Sequence, residues 1–184
     1  MKVPNEFKIL ITKKEIKESV RKISQEINTD FKDKEVLLIG ILKGSFIFMA
    51  DLIRNLNIAN EIDFIELSSY GDRVKSSGEI DVIQGLKKDL KNKNVIIVED
   101  IIDTGYTTSF LLDYLEEKRP HSIKLCALTS KSSRRKKEVH VDYLGFEIPN
   151  RFIVGYGLDY KEKYRNLPDI YYVEEIKEDS NFIP

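Results

Sequence analysis

The sequence predicts an α/β fold built on a parallel sheet, and three observations carry that prediction. Short apolar runs recur at Val36–Leu42, Ile62–Leu67, Val95–Val98 and Ile123–Leu128. Each has the length of a strand rather than a helix, and such runs suit strands covered on both faces. Helical patterns alternate with them, and strand, helix, strand, helix, strand is the order that right-handed parallel crossovers produce. Polar loops follow the strand ends at Leu42, Val98 and Leu128. In a parallel sheet those ends share one rim, where open α/β sheets bind their ligands.

Each element has its own signal. Ile16, Val20, Ile23 and Ile27 recur at three- and four-residue spacing among Lys and Glu, which predicts a helix from Thr12 to Asn28. Thr12 and Glu15 form a candidate capping box at its start. The strand Val36–Leu42 leads through Lys43-Gly44-Ser45 into an apolar helix, Phe46 to Leu56. After Ile62–Leu67 comes a polar stretch from Ser68 to Gly78 with little to pack, read as a mobile surface loop. Ile80 to Ile83 alternates in polarity like a hairpin arm. The strand Val95–Val98 is predicted to stop at Glu99 and Asp100, with a helix from Phe110 to Lys118 closed by Arg119-Pro120. Ile123–Leu128 precedes a basic loop, Lys131 to Lys137, and Val141–Phe146, Phe152–Tyr156 and Ile170–Val173 read as further short strands. No repeat or linker interrupts the pattern, so a single domain over residues 1–184 is expected.

Composition narrows the function classes. With 41% hydrophobic and 33% charged residues, the chain argues against disorder and against a membrane protein. A formal net charge of −1 gives no global field for nucleic acid. Cys126 is the one cysteine and there are two histidines, so a disulfide framework or a zinc site is not expected, and Cys126 reads as a buried thiol. The N-terminus has no apolar signal-peptide core and no stretch reaches transmembrane length, so a cytoplasmic protein is the default.

The most informative run is Val95 to Ser109. Its apolar strand meets Glu99 and Asp100, then Asp103, then the hydroxyl-rich turn Thr104-Gly105-Tyr106-Thr107-Thr108-Ser109. A turn that opens a helix presents free backbone N–H groups and the positive end of the helix dipole, which suits a phosphate. Neighbouring acids suit a ribose diol or a hard cation such as Mg2+. Asp103-Thr104-Gly105 alone is also what an ordinary capped helix start looks like, but capping explains neither Glu99 nor Asp100. The run is no Walker loop, because the second glycine and the Lys-Ser or Lys-Thr pair are missing.

Val-Glu-Asp-Ile-Ile-Asp-Thr-Gly (98–105) resembles the signature of the type I phosphoribosyltransferases, in the wording of their hypoxanthine-guanine branch. Val-Gly-Tyr-Gly-Leu-Asp (154–159), with Gly-Phe-Glu-Ile-Pro just before it, resembles the purine-binding segment of the same branch. The two stand in the expected order, and the likeness runs from about Ile39 to Asp169. It implies a parallel-sheet type I phosphoribosyltransferase fold with a small hood of short strands. It also implies transfer of a 5-phosphoribosyl group from phosphoribosyl diphosphate to hypoxanthine or guanine.

Carried over by position, the resemblance puts Glu99 and Asp100 on the ribose hydroxyls and the magnesium, with Asp159 near a second metal. Asp103 meets N7 of the purine as the catalytic group, and Thr104, Gly105, Tyr106, Thr107 and Thr108 wrap the 5′-phosphate. Lys43, Gly44 and Arg165 take the diphosphate, and an unusual peptide geometry is implied at Leu42-Lys43. Lys131 donates to the 6-oxo group, Phe152 stacks on the base, the backbone at Ile153 meets the 2-position, and Ser69-Tyr70 rides on a lid. Tyr106 departs from the family pattern, standing where many relatives carry lysine; a loop that binds through N–H groups and hydroxyls tolerates this. Without the resemblance, Phe152 reads as core, Lys131 as the start of a solvated run, and Lys43-Gly44-Ser45 as an ordinary turn. The implied partners are small molecules and further copies of the chain in a homodimer or homotetramer, with no nucleic acid and no membrane. The rival class is an RNA-binding regulator on the same fold, which would need a basic face that one run at Arg134 to Lys137 hardly supplies. Preference for xanthine is the rival within the enzyme class.

Overall fold

The computed structural model describes residues 3–69 and 80–173. A six-stranded sheet runs in the order β4-β3-β2-β5-β6-β7. Its members are β2 (Val36–Leu42), β3 (Asn60–Ser69), β4 (Ile80–Gln84), β5 (Asn94–Ile102), β6 (Ser122–Ser130) and β7 (Tyr143–Glu147). All neighbours are parallel except β3 and β4, which form the expected hairpin. Among the described residues three α-helices accompany it: α1 (Lys13–Asp30), α2 (Phe46–Ile53) and α3 (Tyr106–Glu116).

The apolar runs are continuous because both faces of the sheet are covered. Val36, Leu38, Ile96, Val98, Cys126 and Leu128 face one way and pack with Ile16, Val20, Ile23 and Ile27 of α1 and Phe48, Met49 and Leu52 of α2. Leu37, Ile39, Ile41, Val95, Ile97, Leu125 and Ala127 face the other way and pack with Leu111 and Leu115 of α3. The two-residue period of a strand sorts consecutive residues into these two cores. Cys126 is buried as expected, and burial raises its thiol pKa far above the ordinary value.

The α1 start is the capping box read from sequence: Glu15 N–H donates to the Thr12 hydroxyl at 3.3 Å, and the Glu15 carboxylate accepts from Thr12 N–H at 2.8 Å. Elsewhere the boundaries move. α2 stops at Ile53 rather than Leu56, and α3 starts four residues early, at Tyr106. β7 starts at Tyr143, and the strand expected over Phe152–Tyr156 shrinks to Ile153–Val154, β8. The largest unforeseen element is β1 (Phe7–Ile11). It pairs antiparallel with β9 (Ile170–Val173), which in turn pairs with β8, giving the small sheet β1-β9-β8. Phe7, Val154, Tyr160, Leu167 and Tyr171 form its own apolar cluster. Among the described residues no helix is long and apolar enough to cross a membrane.

Candidate active site

The rim loops converge as the parallel topology requires. A cavity of about 360 Å³ is lined by Lys43 and Gly44 after β2, Asp100, Ile101 and Asp103 from β5 and its turn, and Lys131 and Arg134 after β6. Phe152, Ile153, Leu158, Asp159 and Arg165 close it from the small-sheet side. The Leu42–Lys43 peptide is cis, the unusual geometry that the resemblance implied.

β5 does not stop at Val98 but continues to Ile102, so Glu99 and Asp100 lie inside the strand. They therefore project from opposite faces: Asp100 lines the cavity while Glu99 lies behind it, on the α3 side. Both are buried. Loss of hydration, then the neighbouring Asp100 charge, pushes the Glu99 carboxyl well above its usual range. Asp100 is pushed up to about 6, first by burial, with its own and Ile101 backbone N–H groups and the Arg165 charge pulling the other way. Glu99 Oε2 has no hydrogen-bond partner among the described residues. Gly44 passes so close to Asp100 that a Cβ there would collide with the carboxylate. Gly157, with φ of 102°, lies against the Gly44 carbonyl in the same way.

Asp103 sits between two cations. Lys131 Nζ is 3.4 Å from one carboxylate oxygen and Arg134 Nε is 3.1 Å from the other. Lys131 is buried rather than solvated, and its backbone N–H, just past the end of β6, donates to the Ile102 carbonyl. Arg134 was not among the residues expected here. The resemblance singles out Lys131, but nothing in the charge run itself shows that Arg134 also turns inward.

Gly105, at φ of 85°, opens α3, and the first bond into the helix is Ser109 N–H to the Gly105 carbonyl. The N–H groups of Tyr106, Thr107 and Thr108 therefore precede the helical ladder and point out of its positive end. Thr108 is buried, and Tyr106 is half-exposed. Lys136 and Lys137 N–H groups both donate to the Thr104 carbonyl, bracing this turn against the basic loop.

Phe152 is half-exposed and meets Tyr160 edge to face at 5.7 Å, so it is a rim aromatic and not the core residue that composition alone would suggest. Asp159 is 2.9 Å from Arg165, and among the described residues no three Asp, Glu, His or Cys side chains cluster as metal ligands. Asp159 therefore forms no three-acid set with Glu99 and Asp100. Glu162, unforeseen, reaches both Lys43 and Arg165 at 3.2 Å. Ser69 closes β3, while Tyr70 and the rest of the expected loop to Gly78 lie outside the described residues.

Fold and rim together define a class, and a family model described as the phosphoribosyl transferase domain matches residues 9–161. The Bacillus subtilis hypoxanthine-guanine phosphoribosyltransferase is 44% identical over 163 residues, covering 89% of this chain and 91% of that one. The Dictyostelium discoideum enzyme of the same name is 43% identical over 175 residues, with 93% and 96% covered. A crystal structure of a Bacillus anthracis hypoxanthine-guanine phosphoribosyltransferase superposes with a TM-score of 0.87 at 44% identity, covering 91% of this chain and 98% of that one. The chain also matches bifunctional TilS/HprT proteins of Listeria monocytogenes at 42% identity, and it spans about a quarter of their length. The chain belongs to the hypoxanthine-guanine phosphoribosyltransferases of the type I phosphoribosyltransferase family, glycosyltransferases of purine salvage.

Proposed function

We propose that this chain, acting as one phosphoribosyltransferase domain, joins hypoxanthine or guanine to the 5-phosphoribosyl group of phosphoribosyl diphosphate, giving IMP or GMP and diphosphate. The observation that carries the reading is one cavity lined by Lys43 and Arg165, by Asp100 and Asp103, and by Lys131 with Phe152. In this reading Thr104 to Thr108 seat the 5′-phosphate on backbone N–H groups. Lys43 and Arg165 take charge that develops on the departing diphosphate, which favours the transition state over the ground state. Asp103 exchanges a proton with N7, Lys131 donates to the 6-oxo group, and Phe152 and Ile153 hold the base in line.

The donor set fits magnesium. Asp100 and Asp159 both line the cavity and are hard oxygen donors, Asp100 buried, whereas Glu99 faces away from it. Mg2+ is commonly held by one or two carboxylates together with substrate phosphates and water. Bound there, it would neutralise diphosphate charge. The reading also carries a cytoplasmic location and a homodimer or homotetramer.

An assay with phosphoribosyl diphosphate and each of hypoxanthine, guanine, xanthine and adenine tests the reading. Nucleotide formed from hypoxanthine and guanine, and abolished by excess chelator, is the expected result. Absence of nucleotide from either base would overturn it.

A further inference from the structure

The two cations at the diphosphate end of the cavity already hold an anion. Glu162 places one carboxylate oxygen 3.2 Å from Lys43 Nζ and the other 3.2 Å from an Arg165 guanidinium nitrogen. A carboxylate bridging two cations through separate oxygens offers them what two phosphate oxygens would offer.

The three partners differ in how firmly they are held. Arg165 is anchored without Glu162, since it also donates to the Gly157 carbonyl at 2.9 Å and pairs with Asp159 at 2.9 Å. Glu162 is 67% exposed and Lys43 56%, so their side chains can part at small cost. The backbone that presents Glu162 is fixed. Tyr160 and Lys163 exchange N–H to carbonyl bonds of 3.0 and 3.1 Å across the turn, and Glu162 N–H donates to Asp159. The hydrogen bond from Lys43, then the Arg165 charge, keeps the Glu162 carboxyl below its usual range, so it is ionised at neutral pH.

We propose that Glu162 is an internal competitor for the diphosphate subsite: its carboxylate holds Lys43 and Arg165 until a diphosphate displaces it, and returns as the diphosphate leaves. The proposal rests on the reading of Lys43 and Arg165 as diphosphate-binding. Its consequence is that Glu162 lowers affinity for both phosphoribosyl diphosphate and free pyrophosphate, and so shortens the residence of a highly charged product.

The test is calorimetric titration of inorganic pyrophosphate with magnesium into the whole protein, using wild type, Glu162→Gln and Lys43→Met. Glu162→Gln keeps the shape and the backbone bonds while removing the charge. It should tighten pyrophosphate roughly three- to tenfold, the scale of two exposed ion pairs. The gain should shrink at about 0.5 M salt, as screening requires. In steady-state kinetics KM for phosphoribosyl diphosphate should fall while KM for hypoxanthine stays. If Lys43→Met weakens pyrophosphate but Glu162→Gln leaves it unchanged or weaker, the competitor role is overturned and the subsite stands. If Lys43→Met binds as wild type, the subsite reading itself fails.

Discussion

Replacing Asp100 by asparagine should separate stability from function. The carboxyl is buried in β5, and its pKa rises from 3.8 to about 6, chiefly because burial strips its hydration. A raised folded-state pKa means that the folded protein binds the proton more tightly than the unfolded chain. The stability this supplies is fully present below the unfolded value and is lost as pH rises through about 6. About two pH units at roughly 1.4 kcal/mol each put the cost of ionisation at neutral pH near 3 kcal/mol. Glu99 is shifted in the same direction, and each acid loses a repulsive neighbour when the other is neutral. Asp100→Asn cannot ionise, so in metal-free buffer at about pH 7.5 it should be more stable by roughly 1–3 kcal/mol, reduced because the amide N–H groups need acceptors. At about pH 4 the gain should nearly vanish, since there the wild-type carboxyl is already protonated in the folded state. Urea denaturation at the two pH values measures both quantities, and titration of phosphoribosyl diphosphate should show lost affinity in the same variant. A variant no more stable than wild type near neutrality, or equally stabilised at both pH values, would refute the reasoning.

Asp103→Asn removes the proton acceptor while keeping shape, and turnover should fall by about 10²–10⁴-fold with phosphoribosyl diphosphate still bound; unchanged steady-state turnover removes Asp103 from the mechanism. Gly44→Ala drives a Cβ into the Asp100 carboxylate, so it should cost about 1–3 kcal/mol in thermal or urea denaturation and weaken pyrophosphate; a silent substitution would contradict the close approach. Lys131 offers donors only, so adenine, which turns a donor toward it, should be a far poorer substrate than hypoxanthine. Lys131→Met should lower kcat/KM for hypoxanthine by roughly 10–100-fold and narrow that gap, the scale of one buried polar contact of about 1–3 kcal/mol. Equal use of adenine and hypoxanthine by the wild type in competition would overturn the Lys131 assignment.

What sequence made legible follows the range of each interaction. β2 and β9 were read with their observed limits, and the Thr12–Glu15 box with both its bonds, because apolar runs and caps are local signals. β1 was missed since its partner β9 lies some 160 residues away and nothing inside Phe-Lys-Ile-Leu-Ile announces a pairing. β8, two residues long, cannot show a period at all. The acids Glu99 and Asp100 were recognised as unusual, but their divergence to opposite faces depends on the strand running past them to Ile102. Only the family likeness marks Lys131 as base-binding, while Arg134 and Glu162 need coordinates. A charge reads as solvated until the chain is seen to turn it toward a partner, and Asp103 is 28 residues from Lys131, with Lys43 119 from Glu162.

The small sheet also sets an order of events while the chain is being made. β8 carries Ile153 beside Phe152, and it is tied to the molecule through β9, which in turn is tied to β1. During synthesis β2, β5 and β6 can assemble with their helices while Ile170–Val173 is still inside the exit tunnel. Such a nascent molecule has its phosphate turn in place, while the base wall rests on the main core through Ile153 and Tyr156 and lacks the pairing with β9. β1 waits with an open hydrogen-bonding edge until β9 emerges. A truncation just before Ile170 should therefore mimic a stalled nascent chain: a folded main sheet that still takes a phosphate, with Phe152 loose and purine unbound.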